Sequence, residues 1–223
     1  VTRNACTQMQ GVACLLSHPI PVRPPIRAWA FVRLGRRGFT LVYSALSLGV
    51  LVWLVGAAGR APFIPLWRWA PWQNQVALAV MLPVCLILAL SIGRPNPFSF
   101  GGAHDERFDP AQPGIVGWMR HPLLVALGLW AGAHTLANGD LAHVIMFATF
   151  VAFAGLGGWL IDRRKRRQMG ADWQRLRDAP REKRRPGPLM LLWQMPRRTA
   201  LGIAAYIGLI TLHPFLFGVN PIA

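Results

Sequence analysis

Five long runs of this chain contain no charged residue, and the charges lie packed between them. The runs are 39–59, 74–93, 122–138, 141–161 and 199–217, and none holds a Lys, Arg, Asp or Glu. Crossing a bilayer takes roughly 20 consecutive apolar residues. In hydrocarbon such a run must satisfy its own backbone hydrogen bonds, which a helix does within one segment. A sixth run, GVACLLSHPI at 11–20, is too short to span alone and follows the polar VTRNACTQMQ, so it reads as a weak first helix. The sequence therefore predicts an all-α fold, a polytopic transmembrane helix bundle of five to six spans. Composition agrees: 53% of the residues are hydrophobic and 14% charged, against about 25% charged in an ordinary soluble domain.

The charges orient the bundle. When 11–20 ends on the cytoplasmic side and the spans alternate, the cytoplasmic loops are 19–38, 94–121 and 162–198. They hold 5, 3 and 13 of the 24 basic residues. Positive loops face the cytoplasm, so the expected setting is a bacterial inner membrane, with loop 162–198 cytoplasmic and the C-terminal end periplasmic. The parts are then a weak first helix and basic amphipathic segment (1–38), a four-span core (39–161), a basic cytoplasmic or interfacial segment (162–198) and the last span with a short end (199–223). The net charge of +16 is accounted for by topology and an anionic leaflet, so the lipid bilayer is the expected partner and nucleic acid is not. Cys6, Cys14 and Cys85 show no metal spacing, and the first residues show no cleavable signal pattern.

Loop 60–72, with three Trp and three Pro, is expected to lie along the outer interface. Loop 94–114 carries His104, Asp105, Glu106 and Asp109. It reads as a solvated Gly/Pro-rich connector, with a metal site as the other reading. In 162–186, Trp173 and Leu176 stand three apart among charges, which suits a short helix lying on anionic lipid or a lid over a cytosol-facing site.

Histidines carry the chemistry. His134 alone lies well inside a span, between Trp130–Ala133 and Asn138, and a polar group there is costly and usually functional. It is either a ligand for iron in a haem site or an interhelical hydrogen-bonding group. His121 lies 13 residues earlier; on one helix that separation is roughly 20 Å, so the two cannot share an iron. Arg120 and His121 open the span at the cytoplasmic mouth, where they read as an anion or headgroup site or as an interfacial anchor. His143 and His213 lie at a depth similar to His134, and His18 lies near the cytoplasmic end of the first helix.

Several stretches together resemble the NnrU family of bacterial integral membrane proteins: RLGRRGFTLVYSALSL (33–48), GRAPFIPLW (59–67), RPNPF (94–98), RHPLLVALGLWAGAHTLANGD (120–140), GGWLIDRRKRRQMGADW (157–173) and HPFLFGVNP (213–221). The resemblance runs from about His18 to the C-terminus. It implies a link to nitrite and nitric oxide metabolism in denitrifying bacteria. Plastid zeta-carotene isomerases share the Arg-His-Pro and Ala-His elements. That likeness implies haem b, held by His134 and His18, with an isomerase-like reaction on an apolar small-molecule substrate. His213 and His143 are the alternative partners that the topology offers. Trp130 and Asn138 would flank the ligand, and Arg120 and His121 would take a haem propionate if that edge reaches the cytoplasmic mouth. The isomerases' alternative cysteine ligand is Ala131 here. A second likeness, GIVGWMRHPLLVALGL with the later MGADWQRLRD, is to membrane methyltransferases that use S-adenosylmethionine. Here Asp162 and Arg163 stand where a Glu pair is expected, and Trp173 where a Tyr is expected. A non-catalytic assembly or interaction protein of a respiratory system is the third reading.

Overall fold

The computed structural model describes residues 24–182 and 187–222. The weak first helix at 11–20, with His18, Cys6 and Cys14, lies outside the described residues. Among the described residues the chain is helical with no strand; a lone antiparallel bridge joins Pro65 to Asp140. In chain order the helices are α1 (Pro24–Gly59), α2 (Pro71–Ser91), α3 (Pro122–Ala137), α4 (Leu141–Met169), α5 (Ala171–Glu182), α6 (Pro188–Gln194) and α7 (Pro196–Phe217). Four segments are long and apolar enough to cross a membrane: Leu41–Gly59, Pro71–Ser91, Leu141–Met169 and Pro196–Phe217; α3 is a shorter apolar helix. Large apolar side chains such as Val42, Trp53, Leu156 and Ile207 are exposed along them, as lipid-facing helices require.

Helix ends follow local chemistry. Proline stands in the first turn of α2, α6 and α7, where its missing N–H would be unpaired anyway. At the start of α2 the Gln73 Oε1 accepts the Ala70 N–H at 3.0 Å. α1 is kinked at Gly35, which is non-helical with φ 65°. α4 ends at Gly170 and α7 at Gly218, both left-handed, with their N–H groups bonded to Arg166 and Pro214 carbonyls. A left-handed glycine is a favoured helix stop because it has no Cβ to clash.

The chain forms two compact units. One comprises residues up to Arg68 together with Asn138–Thr149, the other Trp69–Ala137 with Phe150 onward. In the first, the Leu66 N–H donates to Gly139 O at 2.7 Å and the Leu141 N–H to Ile64 O at 2.9 Å. A Cβ on Gly139 would stand 2.6 Å from the Trp67 carbonyl oxygen, so only glycine fits there. Loop 60–68 is thus pinned to the start of α4 by backbone bonds.

In the second unit α2 packs against both α3 and α7. Gly202 lets α7 approach closely: a Cβ there would stand 3.1 Å from Leu86 Cα and 3.2 Å from the Cys85 carbonyl. Small residues at such contacts are what helix association in lipid relies on. The Arg198 guanidinium caps the end of α2 by donating to Ala89 O and Ile92 O at 2.8 and 2.9 Å, a cation placed at the negative end of a helix. The core of this unit gathers Val84, Ile87 and Leu90 of α2 with Phe98, Ile115, Val116, Ala126, Trp173 and Leu191.

Two expectations change at this point. Loop 94–114 is not simply a solvated connector, because Asn96, Phe98 and Ser99 are buried in it. Trp173 does not lie on lipid: it is 1% exposed, with its ring edge-on to Phe98 at 6.4 Å. The apolar demand of that large ring outweighs the surrounding charges, whose guanidinium groups lie against it.

Candidate functional site: a polar cluster on Asp162 and two anchored histidines

The most developed polar constellation lies in the second unit, where the start of α3 meets the charged stretch of α4. Asp162 receives the Arg120 Nη2 at 2.7 Å on one oxygen and the His121 Nε2 at 3.0 Å on the other. A carboxylate only accepts, so the His121 Nε2 carries the hydrogen and its Nδ1 the lone pair. Ser99 Oγ lies 3.0 Å from that Nδ1 and donates to it. The result is a Ser99–His121–Asp162–Arg120 chain drawn from one loop, the residues just before α3, and α4. Its backbone support comes from Asn96, whose Nδ2 donates to Arg120 O at 3.0 Å and whose own N–H donates to Asp105 Oδ1 at 2.9 Å. Gly158 lies one turn before Asp162, where a Cβ would touch the His121 ring at 3.4 Å. Burial holds His121 below its ordinary pKa; the Asp162 carboxylate works against that and the Arg120 charge adds to it. The neutral imidazole is the favoured form.

Trp173 closes the cluster. The guanidinium carbons of Arg166, Arg177 and Arg120 lie 4.3, 4.9 and 5.9 Å from its ring centroid. Arg177 is itself paired with Asp178 at 2.8 Å. Among the described residues, neither Arg120 Nε nor Trp173 Nε1 has a hydrogen-bond acceptor, although both atoms are buried.

His134 stands elsewhere, in the last turn of α3. Its Nδ1 donates to the Trp130 carbonyl at 2.8 Å, which leaves the lone pair on Nε2. The Trp130 ring packs against it at 5.3 Å, with Phe150 on Trp130 at 5.7 Å. His213, near the end of α7, is built alike: its Nδ1 donates to Val219 O at 2.7 Å. Both histidines belong to the same compact unit, and both helices start near the end of α2, so the two fall toward the same end of it.

The remaining candidates have local partners of their own. His143 belongs to the first unit, where Asp140 takes both its Nδ1 at 2.7 Å and its backbone N–H at 3.3 Å. Asp140 thereby caps α4. Asn138 is half-buried in that unit. His104 is exposed and pairs with Glu106 at 3.4 Å; no group of three or more His, Cys, Asp or Glu able to hold a metal ion occurs among the described residues, so the acidic loop is not such a centre. Sequence reasoning passed over Asn96, Ser99 and the pairing role of Asp162. Only Asp162 left a signal: it is the lone acid at the head of the basic run 162–167.

A family model described as NnrU protein matches residues 10–221. No curated protein and no solved structure matches the chain.

Proposed function

The chain belongs to the NnrU family, and from that premise we propose that it is a haem b-binding protein of the bacterial inner membrane, with His134 as one iron ligand and His213 as the other. One observation carries this reading: in both histidines, which belong to the same compact unit, a backbone carbonyl takes the Nδ1 hydrogen. Ligand histidines almost always donate their second ring N–H in this manner, which fixes the tautomer and raises the basicity of the ligating nitrogen. Two imidazoles are a sufficient donor set for haem iron, so no cluster of three ligands is called for. Trp130 and Phe150 supply flat apolar walls beside His134. Held by both imidazoles, the bound group would supply one-electron redox chemistry, and it would take a small ligand such as nitric oxide or act as a Lewis acid toward an apolar substrate once one imidazole gives up its place. The chain's own part is to hold two imidazoles in one tautomer and to exclude water with aromatic rings. The basic loops favour an orientation with 162–198 in the cytoplasm and the C-terminal end in the periplasm.

The test is an absorption spectrum of the full chain purified in detergent, oxidised and then reduced with dithionite. A Soret band with b-type reduced bands is expected in near-stoichiometric amount. His134→Ala and His213→Ala should each weaken it, while His143→Ala should not. His18→Ala discriminates the second ligand: loss of the band there, with His213→Ala unaffected, replaces His213 by His18. A preparation without a Soret band after haem-supplemented expression sinks the proposal.

A further inference from the structure

The polar cluster at Asp162 contains a feature that ordinary structural pairing does not explain. Arg120 Nε and Trp173 Nε1 are both buried N–H donors with no acceptor among the described residues. Leaving such a donor unsatisfied costs on the order of 1–3 kcal/mol, and here two occur around one ring. They are near neighbours, since the Arg120 guanidinium carbon lies 5.9 Å from the Trp173 ring centroid. Trp173 itself is 1% exposed, so its N–H is not met by bulk solvent, and a ligand oxygen reaches it only as the 34%-exposed Arg120 side chain shifts.

The charge around the ring gives the sign of what belongs there. Three guanidinium groups, those of Arg120, Arg166 and Arg177, lie against the ring. Two carboxylates answer them: Asp162 on Arg120 and Asp178 on Arg177. The third, Arg166, is exposed to solvent and adds a positive potential beside two unfilled donors. An acceptor with negative charge and more than one oxygen satisfies all of this at once.

Position narrows the class. Asp162 and Arg166 stand directly after the apolar part of α4, which ends at Ile161. A residue at that junction lies at headgroup depth, where phosphate is the abundant oxyanion. Arg120 leads to the cluster from outside, because its side chain is 34% exposed.

We propose that Arg120 Nε–H and Trp173 Nε1–H are the donors of a phosphate-binding site, completed by the Arg166 charge. The ligand is a phosphate oxyanion, carried by an anionic membrane lipid or present as a free phosphate group. Asp162 and His121 position Arg120 for it and do not touch the ligand. The site is independent of the haem reading, since its residues lie at the opposite end of α3 from His134.

The experiment uses the full chain in a neutral detergent. Thermal unfolding and native mass spectrometry are followed on adding phosphatidylglycerol, inorganic phosphate, or phosphatidylcholine as a zwitterionic control. The variants are Trp173→Phe, which keeps the aromatic packing and removes the N–H, and Arg120→Lys, which keeps the charge and removes Nε–H. Phosphatidylglycerol or phosphate should raise the unfolding temperature of the wild type more than phosphatidylcholine does. Each variant should weaken the apparent affinity about tenfold or more, the size expected for one lost hydrogen bond to a charged group. A response to phosphatidylglycerol alone identifies the lipid source, and an equal response to inorganic phosphate identifies the free anion. Two results overturn the proposal: a wild type that responds to neither, or variants that unfold earlier yet keep the full ligand-induced shift. The second would assign both side chains to packing alone. A normal Soret band in both variants separates this outcome from any failure of the haem site.

Discussion

At the scale of single residues, His121 shows how one imidazole reports its surroundings. Its folded pKa is lowered, first by burial, so the folded state prefers it neutral. The unfolded chain takes up its proton near pH 6.5. Stability from this group is therefore full above about pH 6.5 and declines as pH falls toward the depressed folded value. Thermal unfolding in detergent between pH 8 and 5 should show that decline, and His121→Gln should flatten it. A wild-type profile that stays level over the range would contradict the neutral assignment. The Arg120–His121 pair was legible in the sequence because it opens an apolar run. Its partners Asp162 and Ser99 were not, because they stand 41 and 22 residues away and periodicity says nothing about which loop folds back. His134 stood out for the opposite reason: a polar side chain inside a span contrasts with everything around it.

Among the elements, the apolar runs gave the helices almost residue by residue, since lipid leaves a helix as the available solution. What they did not give is where helices stop. α4 continues past Ile161 to Met169, because its basic residues are good helix formers and no glycine intervenes before Gly170. α5 was foreseen as an amphipathic helix, but its Trp173 turns inward to the core; amphipathicity marks a face without saying what covers it. Small-residue contacts were equally silent, because many glycines in spans look alike in sequence. Gly202 is distinguished only by its neighbours. Gly202→Ala would set a methyl group 3.1 Å from Leu86 Cα, against backbone that cannot rotate away. Overpacking of that kind costs about 1–3 kcal/mol. Gly208→Ala, on the same helix with nothing near its would-be Cβ, should be close to neutral. Comparing the unfolding temperatures of the two variants checks the α2–α7 contact, and equal effects would refute it.

For the whole molecule, multi-span membrane character followed from composition and is carried by the exposed apolar faces of α1, α4 and α7. The proposed orientation rests on 13 basic residues in one loop, and fusions test it directly. A C-terminal alkaline phosphatase fusion should be active and a fusion within 183–186 inactive, with green fluorescent protein giving the reverse pattern; the opposite pair of results would invert the topology. Helix length adds something that charge does not. With 16 residues, α3 is about 24 Å long, short of a hydrocarbon core of about 30 Å. With its first residue at headgroup level, beside Arg120, its far end, where His134 stands, would stop among acyl chains before it reaches the opposite surface. On the haem reading, a molecule bound for that histidine would arrive sideways, out of the lipid itself, and be selected first by its solubility in the membrane.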